Sequence, residues 1–179
     1  MNKFTAFETT ALHIACVSNH SDIAARLLEH AEIDVNKATT KSGWTALYIA
    51  SYANNSNFVR QLLCHRQIDV NKATTTTGAT ALYVACEENH ADVVSQLLSN
   101  DQIDVNKART DNGATALYSA CLHNHSHIVM QLLDHDQIDV NKARIDGGAT
   151  PLLIASDFNL SNIVNLLLGH AEIDVNKGT

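Results

Sequence analysis

Ten histidines and four cysteines in 179 residues are enough ligand chemistry to hold a zinc ion, and His123, His125 and His127 fall within five residues of one another. Zinc takes three or four ligands at about 2.0–2.3 Å from a single point. The wider spacing argues against such a site. His125 occupies a position that His20 and His90 also fill, and His30, His65, His135 and His170 form a second column. Neighbours within a column fall one structural unit apart, about 8–10 Å for packed helices, too far to share an ion. Only His123 and His127, on either side of one turn, are placed to approach each other. Packing and surface roles are therefore expected, with no metal and no other cofactor.

The cysteines offer no better nucleophile. Cys16, Cys86 and Cys121 share a slot with Ser51 and Ser156, so that slot asks for a small buried side chain. Cys64 stands where other units carry Glu29, Ser99, Asp134 and Gly169, which marks an exposed position. Without a CxxC pair or close spacing the four read as free thiols of a reducing compartment, and a cytoplasmic location is expected. No nucleophile elbow, phosphate loop or HExxH motif is present, so no catalytic residue is assigned. Twelve basic against nineteen acidic residues give a net charge of −7. That balance disfavours nucleic acid, whose phosphates need a basic surface. No run of eighteen apolar residues exists to span a membrane. The opening "MNKFTAFETT" has no uninterrupted apolar stretch of the kind a signal peptide needs.

The elements that would position any site come from an internal repeat. Thr10, Thr45, Thr80, Thr115 and Thr150 are 35 residues apart, as are Asp34, Asp69, Asp104, Asp139 and Asp174. One domain of five units follows: 8–42, 43–77, 78–112, 113–147 and 148–179. Within a unit the local code is helix, turn, helix, long loop. Thr80 is a natural helix N-cap, and Pro151 fills the first helical slot, where proline costs nothing. Asn89 falls where left-handed backbone is wanted. In "ADVVSQLLSN" the residues Val93, Val94, Leu97 and Leu98 recur at helical spacing. Ser21, Ser56, Ser126 and Ser161 are expected to cap the second helices, with Asp92 compensating for Ala91. Neither helix can hide its apolar stripe alone, so neighbouring units must stack.

The repeated "IDVN" reads as a connecting loop. Its Ile and Val plug the core edge, while the Asp and Asn side chains hold the turn backbone. The Lys37, Lys72, Lys107, Lys142 and Lys177 column reads as a solvated edge offset by the Asp row.

"TALHIACVSNHSDIAARLL" and "TPLLIASDFNLSNIVNLLL", each followed by "IDVN", resemble the ankyrin repeat along nearly the whole chain. The resemblance implies an all-α solenoid of stacked antiparallel helix pairs with β-hairpin or loop fingers. It also implies a concave binding face built from fingers and first helices. The chain departs from the family in three ways. Its unit is 35 residues rather than about 33. Its helix–helix turn carries Asn19, Asn54, Asn89, Asn124 and Asn159 in place of glycine. The family's opening His survives only as His13, with Tyr48, Tyr83, Tyr118 and Leu153 in the other units. The resemblance further implies that Asn36, Asn71, Asn106 and Asn141 match the position open to hydroxylation by an iron- and 2-oxoglutarate-dependent enzyme.

Columns that vary between units mark the expected partner face: Lys41, Ser42, Trp44 and Tyr52; Thr76, Thr77, Glu87 and Glu88; Arg109, Asp111, Asn112, Leu122 and His123; Arg144, Asp146, Asp157 and Phe158. Trp44 is the sole tryptophan, in a slot that is otherwise Ala79, Ala114 and Ala149. It reads either as a partner anchor or as a cover for the short first unit. Glu87 and Glu88 suit a basic partner segment.

In the last unit Leu166 replaces Arg26, Gln61, Gln96 and Gln131, which leaves an apolar end. A monomer is expected, with end-to-end stacking through the last repeat as the alternative. The leading function is a non-catalytic protein-interaction scaffold. The runner-up is a repeat domain that positions a substrate or partner for a larger multidomain protein or effector.

Overall fold

The computed structural model describes residues 9–178. Most of the stretch read above for a leader pattern, and the outermost residues of the units 8–42 and 148–179, lie outside that range. Among the described residues the secondary structure is helical throughout, in ten short helices: α1 (Ala11–Val17), α2 (Ser21–Leu28), α3 (Ala46–Tyr52), α4 (Ser56–Leu63), α5 (Ala81–Glu87), α6 (Ala91–Leu98), α7 (Ala116–Leu122), α8 (Ser126–Leu133), α9 (Pro151–Asp157) and α10 (Ser161–Leu168). Each unit contributes a first, inner helix and a second, outer one. Inner helices pack on the inner helices of adjacent units and outer on outer, α1·α3·α5·α7·α9 and α2·α4·α6·α8·α10, so the chain is a solenoid.

Local chemistry starts and stops every inner helix. The hydroxyls of Thr10, Thr45, Thr80, Thr115 and Thr150 accept from the backbone N–H three residues on, at 3.1–3.4 Å. At the first unit His13 completes a capping box, its Nδ1 accepting from the Thr10 N–H at 3.0 Å. Asn19, Asn54, Asn89, Asn124 and Asn159 then turn the chain at φ 55–62°, the left-handed geometry that asparagine tolerates best after glycine. This is why Asn substitutes for the family's turn glycine without changing the fold.

The outer helices begin differently from the sequence expectation. Ser21, Ser56, Ser126 and Ser161 are the first helical residues, and the caps are His20, Asn55, His90, His125 and Leu160. The residue that directly follows the left-handed Asn is already the cap, so each helix starts one position earlier than a serine cap would place it. Of these caps only Asn55 accepts from its own helix, from Phe58 N–H at 3.2 Å. The column reaches backwards instead. Asn55 Nδ2 donates to Asn19 Oδ1 at 2.7 Å, His90 Nε2 to the Tyr52 carbonyl at 3.0 Å, and His125 Nδ1 to the Cys86 carbonyl at 2.9 Å. Histidine here ties one unit to the one before it. In the second column His30, His65, His135 and His170 each accept at Nδ1 from the backbone N–H two residues on, which closes the turn after the outer helix.

The "IDVN" loop also differs from expectation in one of its two polar residues. Asp34, Asp69, Asp104, Asp139 and Asp174 hold the turn as expected, each Oδ1 accepting from the Asn N–H two residues on. The Asn side chains leave their own turn and bridge to the next unit. Asn36, Asn71, Asn106 and Asn141 donate from Nδ2 to the carbonyls of Gln67, Gln102, Gln137 and Glu172 at 2.5–2.7 Å. Their Oδ1 atoms accept from Asp69, Asp104, Asp139 and Asp174 N–H at 2.8 Å. Val35, Val70, Val105 and Val140 are buried beside these bridges, within one continuous core that includes Leu47, Leu82, Leu117, Phe58, Val93 and Ile128. Each such side chain contributes about 1.5–3 kcal/mol by leaving water.

The fingers take the loop form. Each is closed by two backbone bonds, as in Thr74 N–H to Ala79 O at 2.9 Å and Gly78 N–H to Thr74 O at 3.0 Å. Successive fingers are joined by a single bond, Thr75 to Ser42, Thr110 to Thr77 and Ile145 to Asn112, so no ladder develops. Gly78 sits at φ 72°, and a Cβ there would lie 2.5 Å from the backbone nitrogen of Thr110. Glycine is required by the backbone conformation and by the closeness of the next finger at once.

Candidate protein-binding face

The inner helices and fingers share one face. Its floor is built from the third residue of each inner helix: His13, Tyr48, Tyr83, Tyr118 and Leu153. Tyr83 and Tyr118 are mostly buried in a small apolar cluster with Ala79 and Ala114, flanked by Tyr48, Leu122, Ala149 and Ile154. The small residue at each alanine slot makes room for these rings. Where Trp44 replaces that alanine, the indole packs at 5.4 Å from the Tyr48 ring and 6.2 Å from the Tyr52 ring. Trp44 is half-buried against the main core while Tyr52 is half-exposed. Burial pushes the Tyr48 phenol up to about 12, with the negative charge of Glu87 adding to the shift. It stays a neutral hydrogen-bonding group.

Next along the face the charges pair with one another. The Arg109 guanidinium lies 5.2 Å over the Tyr83 ring. It donates from Nε to Asp111 Oδ1 at 3.0 Å, from Nη2 to Asp111 Oδ2 at 2.5 Å, and from Nη1 to the Tyr83 hydroxyl at 3.4 Å. Tyr83 in turn donates to Glu87 Oε1 at 3.4 Å. One unit on, Arg144 repeats the arrangement over Tyr118, paired with Asp146. The hydrogen-bonded Asp111 raises the Arg109 pKa, and Arg109 holds the Asp111 carboxyl below its ordinary range. Both stay ionised, and their fields largely cancel.

The residues singled out by sequence therefore divide into groups. Trp44 and Tyr52 come together. Arg109 with Asp111 and Arg144 with Asp146 are spent on each other and on the tyrosines. Ser42, Thr77 and Asn112 serve the fingers: their carbonyls accept from the next finger, Thr77 also meets the Thr74 hydroxyl at 3.0 Å, and Asn112 Oδ1 accepts from Ala114 N–H at 2.9 Å. Lys41 and Thr76 are exposed at finger tips. Leu122 is half-buried beside the tyrosine cluster. His123 donates from Nδ1 to the Ser119 carbonyl at 2.9 Å and stacks on His125 at 5.7 Å, while the ring of His127 meets Gln131 Nε2 at 3.5 Å. Glu87 is half-buried, Glu88 and Asp157 are exposed, and neither glutamate has a cationic partner among the described residues. Phe158 is 55% exposed.

Sequence reasoning missed Tyr48, Tyr83 and Tyr118 as site residues, and with them the exposed Ile145 and Leu153. A signal for two of them was present. Tyr83 and Tyr118 each precede an Arg by 26 residues, in the only two units whose finger opens with Arg.

Cys16, Cys86 and Cys121 are buried, and burial pushes the thiols of Cys16 and Cys121 up to about 12, so the nucleophilic thiolate is not populated near neutral pH. Burial raises the Cys86 thiol as well. Cys64 is exposed. Among the described residues no three His, Cys, Asp or Glu gather as a metal site, and no helix is long and apolar enough to cross a membrane.

A search of curated proteins found no match to the chain. A family model described as ankyrin repeats (3 copies) matches it four times in overlapping registers, at residues 1–74, 38–109, 66–144 and 103–179. Repeats of this kind are generally protein–protein interaction modules. With matches along its whole length and the helix-pair solenoid they predict, the chain belongs to the ankyrin-repeat family.

Proposed function

We propose that the chain is a non-catalytic scaffold whose inner face binds an extended protein segment carrying a basic residue between two apolar anchors. The observation that carries this reading is the order of chemistry along the face. An aromatic group of Trp44, Tyr48 and Tyr52 stands at one end, and Glu87 and Glu88, which have no cationic partner among the described residues, come next. The exposed apolar side chains of Ile145, Leu153 and Phe158 stand at the other end. Arg109 and Arg144, the only arginines on the fingers, are neutralised by Asp111 and Asp146 and do not oppose a basic ligand. Three helix spacings separate α3 from α9, about 25–30 Å. An extended segment of roughly eight or nine residues spans that length. Aromatic anchors and a central charge are the kind of residues that dominate binding energy at such faces.

Selection of peptides from a random display library against the purified chain tests this. Lysine or arginine flanked by apolar residues is the expected enrichment, and Glu87→Lys with Glu88→Lys should abolish binding of the selected peptides. The fluorescence of Trp44, the only tryptophan, reports occupancy directly. Enrichment of acidic peptides, or binding that ignores the double reversal, refutes the reading.

A further inference from the structure

The first and last described units expose halves of the interface that adjacent units form with each other. Val35, Val70, Val105 and Val140 are each covered by the following unit at 1–2% exposure, whereas the equivalent Val175 is 59% exposed. Leu168 is also exposed, while its counterparts Leu28, Leu63, Leu98 and Leu133 are partly buried against the core. At the opposite end Phe58, Val93, Ile128 and Ile163 are covered by the preceding unit, and the equivalent Ile23 is 50% exposed. Leu166, the residue that marked the apolar end by sequence, is half-buried against the core. The open surface is Leu168 and Val175 instead.

The polar groups are open in the same complementary way. Asn176 is held in its turn by Asp174 Oδ1 at 3.0 Å, as every other Asn of its column is held, yet its side chain has no partner among the described residues. The groups such an Asn would reach are the Glu32 carbonyl and the Asp34 N–H, the first-unit equivalents of Gln67 O and Asp69 N. Those two are also without a partner among the described residues. A bidentate bridge and an apolar plug are thus present on one end as donor half and on the other as acceptor half.

We propose that the Leu168–Asn176 end of one copy docks on the Ile23–Asp34 end of a second copy, continuing the repeat-to-repeat interface head to tail. Val175 is covered by the second copy's first unit, Ile23 packs on the last outer helix, and Asn176 bridges to Glu32 O and Asp34 N. This contact is heterologous and does not close, so it builds open chains of molecules rather than a symmetric dimer. It is independent of what the inner face binds.

Sedimentation velocity over a concentration series of the whole chain tests the proposal. The wild type is expected to pass from monomer to species larger than dimer as concentration rises. Val175→Asp and Ile23→Asp should each remain monomeric, and both sites are exposed, so circular dichroism should show the fold retained. An equimolar mixture of the two variants keeps one intact junction and should stop at a dimer. Asn176→Ala should need a higher concentration to associate than the wild type. A wild type that is monomeric at its highest soluble concentration, or a mixture that gives no dimer, overturns the proposal.

Discussion

Asn71 and Asp104 are 33 residues apart, yet Asn71 Oδ1 accepts from the Asp104 backbone N–H at 2.8 Å while Asn71 Nδ2 donates to the Gln102 carbonyl at 2.7 Å. One side chain thereby fixes the register of two units through a two-point bond. Two hydrogen bonds of ordinary net strength give about 1–3 kcal/mol. Asn71→Ala should lower the unfolding free energy by about that amount in a denaturant titration. Asn176→Ala, whose side chain has no such partner, should leave it unchanged when both are measured on dilute monomer. Equal losses at both sites contradict the bridging role.

Arg109 is tied to the inner face through Tyr83 and Asp111, and Tyr83 passes the contact on to Glu87. The stacked, partly exposed arrangement is worth no more than about 1 kcal/mol to stability. Arg109→Ala should therefore barely move the melting temperature. It removes a positive charge beside Glu87 and frees Asp111, so a lysine-containing peptide on this face should bind severalfold tighter, with a steeper dependence on salt. Fluorescence titration at low and high ionic strength checks both parts. Weaker binding at low salt would mean that Arg109 itself contacts the ligand.

Gly78 and Gly147 both lie at positive φ, 72° and 142°, in equivalent fingers of different surroundings. A Cβ at Gly147 meets nothing within 4 Å, whereas one at Gly78 strikes the Thr110 backbone. Strain from the backbone conformation alone is about 1–3 kcal/mol. Gly147→Ala should show only that loss. Gly78→Ala should show more, together with faster amide exchange at Thr110, because the finger-to-finger bond to Thr77 must break for the methyl to fit. Identical costs for the two would mean that the fingers are free to separate.

Which features were legible in the sequence follows from how far each residue reaches. Thr80 as a cap, Asn89 as a left-handed turn and Asp104 as a turn acceptor were readable because each answers a demand of its own three or four neighbours. The small slot of Cys86 was readable because five units show what it tolerates. Asn71 was assigned to its own turn, since sequence gives no distance to the adjacent unit and both partners are chemically equivalent amides. The histidine caps failed for the same reason: His90 and His125 serve the preceding unit, while Ser126 beside His125 and Asp92 near His90 suggested local capping. The tyrosine–arginine pairs lie 26 residues apart across a finger, so the face was sketched from its variable columns while its floor was overlooked.

His13 differs from the tyrosines of its column in being of a residue type that changes charge near neutral pH, and it is 1% exposed. Burial lowers its pKa from 6.5, against the opposing pull of the Lys37 and Trp44 backbone, and its Nε2 makes no hydrogen bond of good geometry among the described residues. The folded chain therefore holds this imidazole neutral, while the unfolded chain protonates it near 6.5. The unfolded state binds more protons below that pH, so the stability contributed by neutral His13 is fully present above 6.5 and is lost as pH falls toward the lowered folded value. Tyr48, Tyr83 and Tyr118 show that tyrosine fits the column, which makes His13→Tyr the informative variant. The variant loses the bond that Nδ1 accepts from the Thr10 N–H, a constant offset at neutral pH. Between about pH 8 and about pH 5, where histidine changes charge, the stability of the wild type should fall relative to that of the variant, with the difference beginning to change near 6.5. Parallel stability curves for the two proteins would show that His13 is protonated in the fold without cost, and that the first unit carries a proton the packing does not resist.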